Sequence, residues 1–318
     1  MQRKYLFWSK VLSCLLLGLT ITSFLIPAYD KGEDWIPLLS GFFDMSMISG
    51  NLWVMGGLGA LFNILIVVSL TVINAKSVNN VFNPYLTTSF FLLLILLDPQ
   101  SVWFSSLHPA VLLFVWGQFC FIINQKFTSM FLLSCAALFY APLLWVLPIV
   151  WVVSIMGAAD VFRVALKSIG GILLPPLYLL CFRFMMFGDA GVFVEEYLSH
   201  AMVFSSPMAS IEFTTLFLVL CIAVISLHAV SYIFSTIYSN SIVTGHILKM
   251  EFMCFILGST LFILFSGNGW LPVNMIAALP LAMIFSYYFT ANINAAAARI
   301  ELILLCCAAI LQRLSYFI

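Results

Sequence analysis

The sequence predicts an all-α fold: a polytopic transmembrane helix bundle of about 11 spans with a cytoplasmic N-terminus and several short or broken helices. Three observations predict it. Hydrophobic residues make up 64% of the 318 positions and charged residues only 8%, against about 25% charged in a soluble domain. Apolar runs recur from Leu6 to the C-terminus with short polar breaks. Runs such as Phe90 to Leu97 lack the alternation that a membrane β-barrel requires, and a span in lipid that is not part of a barrel must satisfy its own backbone as a helix. No soluble segment interrupts the pattern, so residues 1–318 read as a single integral membrane domain.

The spans are expected near 6–27, 52–74, 81–97, 110–124, 128–141, 143–157, 170–187, 213–235, 251–266, 272–290 and 300–316. Arg3 and Lys4 precede the first, but no A-x-A cleavage pattern follows, so an uncleaved span is expected rather than a signal peptide. The distribution of cations orients the chain. With the N-terminus inside, Arg3, Lys4, Lys10, Lys76, Lys126, Arg163, Lys167, Lys249 and Arg299 lie on the inner side, and only Lys31, Arg183 and Arg313 on the outer. The acids do the reverse: Asp30, Glu33, Asp34, Asp44, Asp98, Asp189, Glu195, Glu196 and Glu212 fall outside, and Asp160, Glu251 and Glu301 inside. These assignments imply a multi-pass membrane protein whose N-terminus faces the cytoplasm.

The stretch 128–157 needs an argument of its own. It is long for one helix at about 1.5 Å per residue and short for two crossings of a core about 30 Å thick. The break at Ala141-Pro142 favours two short helices, because a single span would carry every later loop to the other side and reverse the charge bias. All four segments between Val81 and Gly157 are short, which is tolerated where helices line a cavity and equally where the bilayer thins. Further on, Gly170-Gly171 and Pro175-Pro176 predict a kink in the seventh span. Residues 188–212 form the longest outer loop, with enough apolar residues for an interfacial helix. Gly267-Asn268-Gly269-Trp270 reads as a tight outer turn, and Ala291 to Ala298 as a close-packed inner helix end.

Several functions are disfavoured. A net charge of zero and the lack of a basic stripe argue against nucleic acid. Cys14, Cys120, Cys135, Cys181, Cys221, Cys254, Cys306 and Cys307 all sit in apolar segments without a CxxC pair, so they read as small packing residues, with no metal site among them. No P-loop, GxGxxG, HExxH or GxSxG motif occurs.

The candidates for chemistry are few. Asp30, Glu33 and Asp34 cluster in the first outer loop, where two carboxylates together suit a hard cation or a general base. A solvated acidic loop is the plainer alternative. Asp98 ends a short helix, where a negative charge meets the negative end of the dipole. Asp-Pro is also a common turn starter, and Trp103, His108 and Pro109 share that loop. Arg183 lies in the outer part of the seventh span, poised to meet a phosphate or one of the outer carboxylates, or to snorkel to the headgroups. His228, mid-span, reads as a neutral histidine bonded to a neighbouring helix, since no second ionisable group is evident beside it.

Two resemblances follow from these residues. Asn83-Pro84, Leu97-Asp98-Pro99, His108-Pro109, Phe139-Tyr140-Ala141-Pro142 and Gly170-Gly171 resemble, over the middle third of the chain, an uncharacterised polytopic inner-membrane family of Bacteroidota, which brings no activity with it. A cytoplasmic N-terminus followed by an acidic first outer loop resembles the polytopic GT-C glycosyltransferases. That likeness implies a polyprenyl-phosphate-linked sugar donor, with Asp30, Glu33 or Asp34 as the catalytic base and Arg183 on the donor phosphate. Asp98 and His108, singled out from their own loop, join these as candidate catalytic and binding residues. The first outer loop here is only about 24 residues, shorter than the resemblance implies. The enzyme is the favoured class. A transporter would use the same short helices but lacks the expected intramembrane charges and internal repeat. An accessory subunit of an envelope complex would need no chemistry.

Overall fold

In the computed structural model the described residues are 10–19, 52–76, 83–96, 103–156, 160–201, 213–236, 248, 251–260, 271–292 and 295–315. Among them all regular structure is helical, with no strand. In chain order the helices are α1 (Lys10–Leu19), α2 (Leu52–Lys76), α3 (Pro84–Leu96), α4 (Leu107–Ile122), α5 (Lys126–Phe139), α6 (Val146–Met156), α7 (Val161–Phe187), α8 (Ala190–Ala201) and α9 (Phe213–Thr236). They continue with α10 (Glu251–Thr260), α11 (Leu271–Asn292) and α12 (Ala296–Ser315). Four stretches, Trp53–Ala75, Val161–Phe187, Leu216–Thr236 and Met275–Asn292, are long and apolar enough to cross a membrane. A helical chain of this composition is consistent with a membrane protein.

Local sequence explains several helix ends. Asn83 caps α3: its Oδ1 accepts hydrogen bonds from the backbone of Tyr85 (3.1 Å) and Leu86 (3.2 Å), and Pro84 supplies a first helical residue that has no N–H to satisfy. Asp160 caps α7 by accepting from the Arg163 backbone at 3.2 Å. That cap starts the helix at Val161, well before the expected 170, and the helix then runs through Pro175 and Pro176 to Phe187. Gly188 ends it in a left-handed conformation (φ 66°), donating back to the carbonyls of Arg183 and Phe184. The stretch 128–157 is two helices, α5 and α6, separated by a 3-10 turn over Ala141–Trp145 with Pro142 near its start. The segments α3, α4, α5 and α6, at 13, 16, 14 and 11 residues, are short as expected.

One expectation is corrected. Ala291 to Ala298 does not form a close-packed helix end: α11 stops at Asn292, α12 starts at Ala296, and Ala295, Ala296 and Ala297 are exposed while only Ala298 turns inward.

The chain divides into two compact units. One holds α1, Leu70–Lys76 of α2, α3 and α9 to α12; the other holds α2 up to Ser69 and α4 to α8. In the latter, α5 packs against both α4 and α7. The α5–α7 crossing is tight because Gly171 lies where a Cβ would stand 2.6 Å from the Phe127 carbonyl oxygen. Ser134 Oγ donates to the Ile172 carbonyl at 2.7 Å across the same contact. The helix α8 is the one foreseen in the 188–212 loop. It is tied down by Tyr197 donating to the Ala137 carbonyl (2.8 Å) and by Trp145 donating to the Ala201 carbonyl (2.9 Å).

In the other unit α11 is the central helix. Of its apolar window 78% is buried, against 28% for α9. Phe90 of α3 packs on Phe285 and Phe289 of α11, with ring centroids 5.8 and 5.3 Å apart. Gly258 of α10 meets Ala277 of α11, where an added Cβ would stand 3.1 Å from the Ala277 Cα. Helix α12 packs along α9.

Candidate functional site

Polar side chains of the α11 unit gather at one end of it. The Lys10 ammonium sits 4.9 Å from the centre of the Tyr85 ring, joining the starts of α1 and α3. Ser286 Oγ donates to the Asn83 carbonyl at 3.3 Å, joining that start to the last turns of α11. Tyr232 of α9 lies 6.1 and 6.0 Å, centre to centre, from Tyr287 and Tyr288 of α11. Phe234, near the end of α9, meets Phe252, at the start of α10, at 5.1 Å. The ends of α9 and α11 and the starts of α1, α3 and α10 therefore share a level, and α12 begins just beyond α11.

Two helix-embedded acids belong to this end. His228 Nδ1 and Glu301 Oε1 are 2.6 Å apart, linking α9 to α12. This short bond holds a proton between an imidazole and a carboxylate. His228 stands eight residues before Thr236, about 12 Å into the helix at 1.5 Å per residue. Apart from His228, α9 carries no Asp, Glu, Lys, Arg or other His. The Glu301 side chain is 9% exposed and that of His228 58%, so the acid is enclosed and the imidazole opens outward. The second oxygen of the same carboxylate has no partner within hydrogen-bond distance.

Glu251 is the second acid. It is fully buried, and neither carboxyl oxygen has a hydrogen-bond partner. Glu251, Cys254 and Gly258 are the buried positions of α10. They share one helical face at spacings of three and seven. Gly258 puts that face against α11, so Glu251 points to α11, toward the end that carries Tyr287 and Tyr288.

The residues singled out from sequence fare differently. Asp30, Glu33, Asp34 and Asp98 lie outside the described residues, as do Asp44, Glu212, His246 and the Gly267 to Trp270 turn. Arg183 is paired with Asp189 at 2.8 Å, one of the outer carboxylates expected for it. Its guanidinium lies 5.1 Å from the Phe187 ring and 5.0 Å from that of Phe193. The pair fastens the end of α7 to the start of α8. His108 is wholly buried. Its Nδ1 accepts from the Ser105 backbone N–H at 3.2 Å, and its ring lies against Phe62 and Phe104. Both side chains thus have a structural job. Among the described residues no three His, Cys, Asp or Glu side chains group to hold a metal, and the cysteines form no disulfide.

Sequence reasoning missed the His228–Glu301 pair, whose members are 73 positions apart, and the depth of Glu251. A signal was present: Lys249-Met250-Glu251 and Arg299-Ile300-Glu301 each set an acid two residues inside a cation at the start of a span. The cation marks the membrane edge, and the acid then lies beyond it. The chain matches no protein-family model, no curated protein and no solved structure.

Proposed function

We propose that this chain is a multi-pass transporter of the bacterial inner membrane, with eleven spans and a cytoplasmic N-terminus. In this reading the polar end of the α11 unit is the cytoplasmic mouth of its solute site. The observation that carries the proposal is the His228–Glu301 pair, which joins the one Asp, Glu, Lys, Arg or His side chain of an apolar helix, α9, to an enclosed acid of α12. Ionisable side chains at such positions are costly and persist where they bind or move something. Each of the eleven expected spans meets one described helix, with α8 left over as the interfacial one, which supports the topology. The inner cations Lys10 and Arg299 flank the same polar end, as the positive-inside rule requires.

A carboxylate with an unused oxygen, an imidazole and three tyrosines suits a small polar solute carrying a cationic or hydroxyl group. Glycosyl transfer from a polyprenyl-phosphate donor draws less support. Its carboxylates Asp30, Glu33, Asp34 and Asp98 have no described geometry. Of its two binding groups, Arg183 is neutralised by Asp189 and His108 is enclosed. An envelope-complex subunit would have no use for buried acids.

The test is uptake of a panel of labelled amines, amino acids and sugars into vesicles carrying the protein, compared with His228→Ala and Glu301→Gln. The expected result is uptake of at least one class that either variant reduces tenfold or more. Equal uptake by all three proteins, or a change in lipid-linked glycans on alanine replacement of Asp30, Glu33, Asp34 and Asp98, refutes the transporter.

A further inference from the structure

Glu251 takes no part in the His228–Glu301 pair, and nothing in its surroundings satisfies it. The residue is 0% exposed, and both oxygens lack any donor. A carboxylate charged in such a place forfeits its hydration without recompense, whereas a carboxylic acid forfeits much less. The titratable groups that the neighbouring elements bring to this end can be named. On α9 these are His228 and Tyr232, near the Phe234–Phe252 contact that brackets the start of α10. On α11 they are Tyr287 and Tyr288. On α12, which pairs with α9, they are Arg299 and Glu301. None of them donates to Glu251. Cys254, on its own helix face, offers at most a weak S–H donor.

Depth and position add to the burial. Gly258 meets Ala277, and seven residues of α10 separate Gly258 from Glu251. That distance, about 10 Å along the helix axis, carries the carboxyl toward the tyrosine end of α11. Glu251 therefore stands at the polar end beside the proposed solute site, wholly buried where His228 is exposed. A group so placed has one ligand small enough to reach it without opening the bundle, and that ligand is a proton.

We propose that Glu251 is a proton-binding site, neutral at rest, and that its deprotonation and reprotonation couple a transmembrane proton gradient to the solute movement proposed above. The coupling rests on that transport reading; the bound proton does not. In the cycle the carboxyl oxygen releases its proton to the aqueous side of lower proton activity. It takes one back from the side of higher activity, so charge and atoms balance without any other reactant.

Two measurements on the full-length protein in bilayers test this. The first is the infrared spectrum of the wild type minus Glu251→Gln. The expected difference holds the carbonyl stretch of a protonated carboxyl at neutral pH, lost reversibly on alkalinisation; symmetric and antisymmetric carboxylate bands in its place overturn the proposal. The substitution is isosteric and uncharged, so it preserves the fold, and Glu251→Asp, which keeps the acid, is expected to retain the band. The second is uptake by vesicles of the solute found in the panel, with and without an imposed proton gradient. Glu251→Gln is expected to abolish acceleration by the gradient while leaving solute exchange at equilibrium within twofold of wild type. Gradient-driven uptake that survives in this variant overturns the coupling. If the wild type moves no solute at all, the transport reading fails by itself, and the infrared result still decides the proton site.

Discussion

Replacing Gly171 by alanine drives a methyl group to within 2.6 Å of the Phe127 carbonyl oxygen, 3.0 Å of Met130 Cβ and 3.1 Å of the Phe131 nitrogen. Two of those three atoms are backbone, so no side-chain rotation relieves the clash and α5 must move away from α7. Overpacking of this kind costs about 1–3 kcal/mol, and the gain in helix propensity over glycine returns about 1 kcal/mol at most. Because the closest atom is backbone, the upper part of that cost applies, and the net expectation is a loss of about 1–2 kcal/mol. Gly170 is the control one residue away. A Cβ there meets only Phe127 Cε2, at 3.7 Å, an ordinary contact, so Gly170→Ala is expected to be neutral or stabilising by up to about 1 kcal/mol. The assay is thermal unfolding in a fixed detergent, followed by loss of helical signal for both variants and the wild type. The expected order is Gly170→Ala at or above wild type, with Gly171→Ala below it. A Gly171→Ala protein as stable as wild type, or two variants that fall equally, refutes the close crossing of α5 and α7.

Three further outcomes are expected. Asn83→Ala removes both cap acceptors at the start of α3 and costs about 1 kcal/mol in the same unfolding assay, with Asn83→Asp restoring most of it. Tyr197→Phe loses the bond to the Ala137 carbonyl, worth about 1 kcal/mol, and speeds protease cleavage in α8. Burial also raises the Tyr197 phenol above its ordinary value of 10.0. Its contribution is therefore complete below that pH and is lost as pH climbs above it, because the unfolded phenol ionises first; Tyr197→Phe should remove this alkaline sensitivity, measured as protection of α8 against pH. Arg183→Ala and Asp189→Asn, combined in a double-mutant cycle, are expected to couple by about 1 kcal/mol or less, since the Asp189 side chain is 36% exposed. Zero coupling would show that the stacking of Arg183 on Phe187 and Phe193, rather than the ion pair, holds the end of α7.

Much of the fold was legible because apolar runs are a strong signal and caps a local one. Ala141-Pro142 marked the break between α5 and α6, and the apolar content of 188–212 marked α8. Boundaries were less legible where a single polar residue decides them: Asp160 starts α7 before the apolar run does. The candidate site was legible only in part. Arg183 was assigned an outer carboxylate or a phosphate, and Asp189 takes it. His228 was read as bonded to a neighbouring helix, but the partner was missed because Glu301 reads as a loop-edge charge beside Arg299. Pairings between distant helices leave no periodicity, and depth depends on packing that no local window holds.

The two units differ in where their acidic groups stand, and that contrast is why function is assigned to one of them. In the unit of α4 to α8, long-range polar contacts mostly end on main-chain oxygens: Ser134 on Ile172, Trp145 on Ala201, Tyr197 on Ala137. A neutral donor meeting a carbonyl fixes one helix on another and then has no capacity left for a ligand. Its ion pair, Arg183 with Asp189, spans six positions and closes a turn. In the unit of α9 to α12 an imidazole meets a carboxylate across two helices, that carboxylate keeps one oxygen unbonded, and a further acid has both oxygens unbonded. Replaced by leucine, such groups would stabilise the bundle, since apolar packing carries no desolvation penalty. Unpartnered buried atoms occur in both units, those of Gln118 and Ser129 among them in the first. There they are neutral or belong to a closed ion pair, whereas in the second they include the oxygens of enclosed carboxyl groups. The capacity of those carboxyl groups, at one level of the bundle, is what a protonated or liganded state would use.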